Sequence, residues 1–152
     1  MSRAKATILC IDDHWNGLIG RKILLEQSGY EVLEATGGDE GLKLFLAHAV
    51  DAVVLDYQMP GMNGDVVAAK MKRINSHVPI ILLSAYGPLP NSKLRSVDTF
   101  LSKSQPPNIL LSRLKDLLGR RPKTFFYRWL DHWKIRNQVA IPGSNTMTKP
   151  CR

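Results

Sequence analysis

The sequence contains few cysteines and no long apolar run. Its two cysteines are Cys10, inside an apolar stretch, and Cys151, next to the C-terminus; two such positions do not indicate a disulfide framework. No run approaches the roughly 20 apolar residues that span a bilayer, and the apolar stretch before Asp12 is too short for the core of a signal peptide. These features argue against a secreted, disulfide-rich or membrane-spanning protein, and we expect a cytoplasmic one.

Acidic residues are scarce in the last part of the chain. Residues 119–152 contain eight Lys or Arg but a single acidic residue, Asp131, whereas residues 1–118 contain 13 basic and 12 acidic residues. The same final segment holds five of the 11 aromatic residues. So sharp a change in composition predicts a domain over 1–118, followed by a basic aromatic tail over 119–152.

The tail places aromatic and apolar residues at helical spacing, namely Phe125, Phe126, Trp129, Leu130 and Trp133. We interpret it as partly helical or disordered, and four roles stay open. It could pack on its own domain, dock a partner or a second copy, touch a membrane surface or nucleic acid, or remain a disordered extension. It is too short for a DNA-binding output domain, so we expect a single-domain architecture.

Residues 1–118 alternate between apolar runs typical of buried strands and segments with helical periodicity. The predicted strands cover 6–11, 30–35, 52–55, 80–83 and 97–101. Such alternation predicts βαβ units and a five-stranded parallel sheet that helices cover on both faces. In the connection before the fifth strand, Gly87, Pro88 and Pro90 leave room for one or two helical turns at most, over Asn91–Ser96.

Polar side chains stand at the ends of four predicted strands. They are Asp12 and Asp13 after the first strand, Asp56 after the third, Ser84 after the fourth and Lys103 after the fifth. In an open sheet of order 2-1-3-4-5, ligands bind where strands one and three diverge, so we expect the three carboxylates to meet there. Taken singly, such residues are more often helix caps, strand-end hydroxyls and solvated charges. The hypothesis therefore rests on their joint occurrence.

Clustered carboxylates repel one another and favour a divalent cation, and oxygen ligands suit Mg²⁺. Lys103 is the only other neutralising charge that the pattern predicts, and Ser84 offers a hydroxyl donor. A carboxylate nucleophile, Mg²⁺, an ammonium group and a hydroxyl are the groups that phosphoryl transfer requires. The predicted product is an aspartyl phosphate.

Over residues 5–118 the sequence resembles the receiver domain of bacterial two-component response regulators. The motifs that carry the resemblance are ILCIDD at 8–13, VVLDYQMPGMNG at 53–64, LSA at 83–85 and FLSK at 100–103. The resemblance implies a flavodoxin-like fold with strand order 2-1-3-4-5. It also implies that a histidine kinase or a phosphotransfer protein phosphorylates Asp56.

The resemblance further implies a role for each residue of the site. The implied Mg²⁺ ligands are Asp13, Asp56 and the backbone carbonyl of Gln58, with Asp12 contributing through water. The implied phosphoryl-contacting groups are Ser84, Lys103 and the backbone of Tyr57 and Ala85. Ser84 and Phe100 would form the switch that responds to phosphorylation.

Three features depart from the family pattern. Ser104 follows Lys103, at a position where proline is common. The helix before the fifth strand is predicted to be short or absent. His14 stands where an acidic residue commonly follows the aspartate pair; we expect its side chain to face solvent, with a metal-ligand role as the alternative.

The predicted function is that of a receiver which signals by phosphorylation-dependent protein interaction, not that of a metabolic enzyme. The sequence does not name the downstream partner. One alternative is a Mg²⁺-dependent phosphohydrolase with Asp56 as nucleophile. However, Gln58 stands where haloacid-dehalogenase-like phosphatases have a second aspartate, and an amide cannot exchange protons. The other alternative is nucleic-acid binding through the basic tail.

Overall fold

The structure, a computed structural model, describes residues 4–120. Within them, five strands alternate with four α-helices. The strands are β1 (Thr7–Ile11), β2 (Glu31–Ala35), β3 (Ala52–Asp56), β4 (Ile80–Ser84) and β5 (Thr99–Ser102). The helices are α1 (Trp15–Gln27), α2 (Gly38–Ala47), α3 (Gly64–Ile74) and α4 (Pro107–Gly119). The helical stripe expected over 125–133 lies outside the described residues.

All five strands are parallel and follow the order β2-β1-β3-β4-β5, which confirms the predicted fold class. Every residue of β3 and β4 is buried because helices cover both faces of the sheet, and this burial accounts for their continuous apolar runs. β2 lies at an edge of the sheet, where Glu31 is exposed.

The strands send alternate side chains into two core layers. On one face, β-strand residues such as Leu9 and Val53 pack with apolar residues of α2 and α3. On the other face, Cys10 and Val54 pack with apolar residues of α1 and α4. The chain therefore leaves β1 toward one face and β3 toward the other. These neighbouring strands diverge at their carboxyl ends, and the divergence opens the crevice in which such sheets bind ligands.

The connection between β4 and β5 contains a single 3₁₀ turn, Asn91–Lys93. This finding confirms that the helix expected there is short or absent. Within residues 4–120 the cis peptide bond is Gly87–Pro88. β5 begins at Thr99, two residues later than predicted, and Val97 still donates its N–H to the Leu94 carbonyl of the turn. None of the helices in the described part of the chain is long and apolar enough to cross a membrane.

Candidate metal and phosphoryl-acceptor site

The carboxyl ends of β1 and β3 bring the predicted acidic residues together. Ile11 pairs with Leu55 in the sheet, so the next residues along each strand, Asp12 and Asp56, lie side by side. Both are buried. One ligand atom from each of Asp12, Asp13, His14 and Asp56 lies within 4.8 Å of the others. The strand-end pattern in the sequence thus corresponds to one compact cluster in the fold.

Lys103 reaches this cluster from the loop after β5. Its Nζ lies 2.8 Å from Asp56 Oδ1 and 3.1 Å from Asp12 Oδ2. Its backbone N–H donates to the Ser84 carbonyl across 2.8 Å, which aligns the loop beside the end of β4. The Lys103–Ser104 peptide bond is trans. Lys103 contacts both carboxylates although no proline follows it.

Arg21 is a second positive charge in the cluster and corrects the expectation that Lys103 acts alone. The guanidinium ion-pairs with Asp12 Oδ2, and the Arg21 side chain is only 14% exposed. The sequence did contain a signal for it. Leu18 and Leu25, three residues before and four residues after Arg21, are the buried residues of α1, so Arg21 falls on the buried face of that helix.

The charges around Asp12 and Asp56 shift their pKa values in opposite directions. Burial raises the pKa of Asp12, but the His14 backbone N–H, which donates to Oδ1 across 2.9 Å, and the charges of Arg21 and Lys103 outweigh it, so this pKa is lowered. For Asp56, burial dominates over the favourable contact with Lys103, and the neighbouring Asp12 and Asp13 add to it, so the pKa is raised. A cation beside Asp56 would oppose both the effect of burial and the repulsion from the neighbouring carboxylates.

Asp13 offers an oxygen that fits a metal ion. Its Oδ1 is buried and makes no hydrogen bond with the residues that the structure describes. His14 Nδ1 lies 3.0 Å from this oxygen, but the His14 side chain is 74% exposed, as expected for a residue facing solvent. A buried carboxylate oxygen that makes no such hydrogen bond, beside two further carboxylates, is a donor set that suits Mg²⁺.

The remaining predicted site residues differ in whether their polar groups are already hydrogen-bonded within the fold. Ser84 is buried, and its Oγ accepts a hydrogen bond from the Tyr86 N–H at 3.0 Å, which leaves its hydroxyl proton free to donate. Tyr57 donates its backbone N–H to the Leu83 carbonyl at 2.8 Å and accepts from Gly64 at 2.7 Å. Both backbone groups are thus hydrogen-bonded inside the fold, and the phosphoryl contact from Tyr57 stays a prediction.

Gln58 and Ala85 follow the ends of β3 and β4, and both are exposed. Phe100 is half-buried on the α2 and α3 side of the sheet and pairs with Leu82 of β4. It therefore lies two strands away from Asp56, with β4 between them, and two residues before Ser102, the register partner of Ser84. This placement puts the predicted switch residues on adjacent strands.

Comparisons with known proteins agree with this geometry. The family model of the response regulator receiver domain matches residues 8–115. The transcriptional regulatory protein GlrR of Escherichia coli (strain K12) is 30% identical over 144 residues, which cover 93% of this chain and 32% of GlrR. The chain spans between about a third and about half of the curated relatives it matches.

Solved structures show the same relationship. A CheY-like receiver domain protein from Methanospirillum hungatei JF-1 superimposes with a TM-score of 0.73 at 28% identity, over 76% of this chain and 95% of that one. TrrA from Thermotoga maritima, solved in complex with Mg²⁺ and BeF, gives 0.71 at 34% identity over 74% and 98%; it has also been solved in complex with the histidine kinase ThkA. The chain therefore belongs to the family of response regulator receiver domains of two-component phosphorelay signalling.

Proposed function

We propose that this chain accepts a phosphoryl group on Asp56 from a phosphohistidine, carried by a histidine kinase or a phosphotransfer protein, in a Mg²⁺-dependent reaction. The observation that carries the proposal is the contact of Lys103 Nζ with Asp56 Oδ1 at 2.8 Å, next to the Asp12 and Asp13 carboxylates. A buried carboxylate beside an ammonium group is arranged to receive a charged group, because the ammonium can follow the negative charge as it moves to the phosphoryl oxygens.

In the reaction, a carboxylate oxygen of Asp56 attacks phosphorus as the phosphorus–nitrogen bond of the phosphohistidine breaks. The imidazole nitrogen leaves and takes up a proton from solvent. Asp13, Asp56 and the Gln58 carbonyl would hold Mg²⁺, with Asp12 reaching it through water. When bound, the ion supplies neutralisation of charge between the carboxylates and the phosphoryl oxygens.

The phosphorylated state would be read by two further groups. The Ser84 hydroxyl proton is free, because its oxygen accepts from Tyr86, so it can donate to a phosphoryl oxygen. The Ala85 N–H would provide a second donor. Movement of Ser84 vacates space beside β5, which the half-buried ring of Phe100 can fill. The resulting change in the β4–β5 surface would alter the affinity for a downstream protein.

The relatives support the proposal by the chemistry of their complexes. TrrA binds Mg²⁺ and BeF in one crystal structure and a histidine kinase in another. The two alternatives from the sequence gain no such support. The family that the chain matches signals rather than turns over metabolites, and the tail that would bind nucleic acid lies outside the described residues.

Intact mass measurement tests the proposal. The full chain is incubated with acetyl phosphate, with Mg²⁺ or with a chelator. We expect the mass of one phosphate to be gained in Mg²⁺ only, by the wild type and by the control Asp39→Asn, whose side chain is exposed in the first turn of α2, but not by Asp56→Asn. Phosphorylation of Asp56→Asn to the same extent as the wild type would contradict the assigned acceptor. Phosphorylation of the wild type to the same extent with the chelator would contradict the metal dependence.

A further inference from the structure

Arg21 occupies a place in the carboxylate cluster that the function proposed above does not use. The cluster of Asp12, Asp13 and Asp56 carries up to three negative charges, and among the described residues Lys103 and Arg21 both contact it. We infer that Arg21 is a positioning residue that competes with the divalent cation for Asp12 and so sets the Mg²⁺ affinity of the site. The inference rests on the proposed Mg²⁺ site and deepens it.

Both carboxylate oxygens of Asp12 already have partners within the protein. Its Oδ2 is shared by Arg21 and Lys103, and its Oδ1 accepts the His14 backbone N–H at 2.9 Å. Both oxygens are therefore satisfied by the protein itself. Asp13, in contrast, keeps a buried oxygen that makes no hydrogen bond within residues 4–120 and that has the exposed His14 side chain beside it, with Nδ1 at 3.0 Å. An incoming cation meets an available oxygen at Asp13, whereas at Asp12 it must first displace Arg21 or act through water.

The buried guanidinium of Arg21 supplies a positive charge to Asp12. The Arg21 side chain is mostly buried and ion-pairs with Asp12, and its Nε is buried without an acceptor among the described residues. Lys103 bridges two carboxylates, whereas the ion pair of Arg21 within residues 4–120 is with Asp12. Removing Arg21 would therefore leave Asp12 Oδ2 with Lys103 as its remaining contact among these groups, and one negative charge of the cluster would lose its compensating cation.

The space beside Arg21 gives its guanidinium room to move. A cavity of about 580 Å³ lies between α1 and the β5–α4 connection, and both Arg21 and Lys103 line it. The guanidinium can swing into this cavity when a cation takes over Asp12, so competition does not require the helix to move. Arginine is less strongly hydrated than lysine, and it can keep partial contacts in such a space.

Gly17 makes the contact possible. A Cβ at this position would lie 3.2 Å from both Arg21 Nη2 and Asp12 Oδ2. That spacing is tight for both atoms, so the Gly17→Ala change should push the ion pair apart without removing any charge. Gly20, on the same helix, has nothing within 4 Å of its added Cβ, and Gly20→Ala is the matched control.

Calorimetric titration of Mg²⁺ into the full chain tests the inference. We expect Arg21→Met to bind Mg²⁺ about five- to tenfold more tightly than the wild type, the scale of one unit charge removed near a partly screened ion. Lys22→Met removes the same charge from the next position, where Lys22 pairs with Glu34 at 2.9 Å, and should change the affinity less than about twofold. Arg21→Lys should restore most of the wild-type affinity.

Two further variants keep the test decisive if Arg21→Met does not fold. Gly17→Ala should tighten Mg²⁺ binding about two- to threefold, since it weakens one ion pair, and Gly20→Ala should not. In phosphorylation assays, Arg21→Met and Gly17→Ala should lower the Mg²⁺ concentration for half-maximal rate, with little change in the rate at saturating Mg²⁺.

The failures of the two proposals are distinguishable. Mg²⁺ binding by the wild type that Asp13→Asn abolishes, together with unchanged affinity in Arg21→Met and Gly17→Ala, would overturn the role of Arg21 and leave the metal site standing. If neither the wild type nor the Arg21 and Gly17 variants bind Mg²⁺, both the metal site and the role of Arg21 fail. Equal tightening in Arg21→Met and Lys22→Met would show only a long-range effect of net charge and would also overturn the inference.

Discussion

Lys93 Nζ lies 3.1 Å from Asp65 Oδ2 and joins the single turn of the β4–β5 connection to the first turn of α3. The hydrogen bond to Asp65 raises the pKa of Lys93, so the lysine stays charged. Gly64, which precedes Asp65, donates its N–H to Tyr57, the residue after Asp56. The ion pair thus connects the region next to the predicted phosphoacceptor with the segment that replaces a helix.

Residues 86–96 should exchange their amide hydrogens faster than the rest of the domain, because regular hydrogen bonds in this segment are confined to the turn around Asn91–Lys93. The Asp65→Asn variant should increase exchange over 86–96 about two- to fivefold, the scale of one partly exposed ion pair. Asp39→Asn, in the first turn of α2, is the control. Strong protection over the whole segment in the wild type would contradict the prediction, as would an equal effect of both variants. A phosphoryl mimic at Asp56 should also change exchange in this segment.

Phosphorylation should couple Ser84 to Phe100. Ser84 pairs with Ser102, two residues beyond Phe100, across β4 and β5, and its movement toward a phosphoryl group leaves room that an apolar ring can enter. Phe100 also lies near Gly87 in the β4–β5 connection, since an added Cβ at Gly87 would be 3.7 Å from the Phe100 ring. We expect structures with and without a phosphoryl mimic to show different Phe100 rotamers, and Ser84→Ala to retain the unphosphorylated one. The same rotamer in both states of the wild type would show that no coupling exists.

Gly64 should not tolerate a side chain. A Cβ there would lie 2.3 Å from the Asp56 carbonyl oxygen and 2.8 Å from Leu82 Cδ1, and the backbone oxygen of a central strand cannot move aside. Gly64→Ala should therefore destabilise the fold by about 2–3 kcal/mol and lower the melting temperature by roughly 10 °C. Gly20→Ala, in open space on α1, should leave it unchanged or raise it slightly. Equal melting temperatures for Gly64→Ala and the wild type would mean that α3 begins farther from β3.

The sequence predicted the elements whose signals are local and continuous. The buried runs that end at Asp12, Asp56 and Ser84 established the strands, and the divergence of strands one and three placed the carboxylates together. Arg21 was missed because a single charge on a helix is usually solvated, and only its spacing from Leu18 and Leu25 marks it as buried. The hydrogen bond from the Tyr57 N–H to the Leu83 carbonyl could not be predicted either, because it depends on how strands β3 and β4 are paired where β3 ends.

Asp56 and Asp12 should have opposite effects on stability as pH changes in a metal-free buffer. The folded-state pKa of Asp56 is raised, chiefly by burial, so this group favours folding in acid and loses that contribution as pH rises through its folded pKa. At neutral pH its ionised form opposes folding. Asp56→Asn should then be more stable than the wild type at pH 7, by about 1 kcal/mol or more, and the difference should shrink toward pH 4.

The contribution of Asp12 to stability should change with pH in the opposite direction to that of Asp56. Although burial raises its pKa, the His14 N–H, Arg21 and Lys103 lower it overall, so its contribution to stability is present above the unfolded-state pKa and is lost as pH falls through the folded pKa. Asp12→Asn should be less stable than the wild type at pH 7, by about 2–3 kcal/mol, because it also leaves Arg21 buried without its partner.

Urea unfolding of the wild type, Asp56→Asn and Asp12→Asn at pH 7, 5.5 and 4.5 with a chelator measures both differences in the free energy of unfolding. Mg²⁺ should narrow the gap between Asp56→Asn and the wild type, since it stabilises the protein that can bind it. A destabilised Asp56→Asn at pH 7, or a gap that widens in acid, would mean that Lys103 outweighs burial at Asp56.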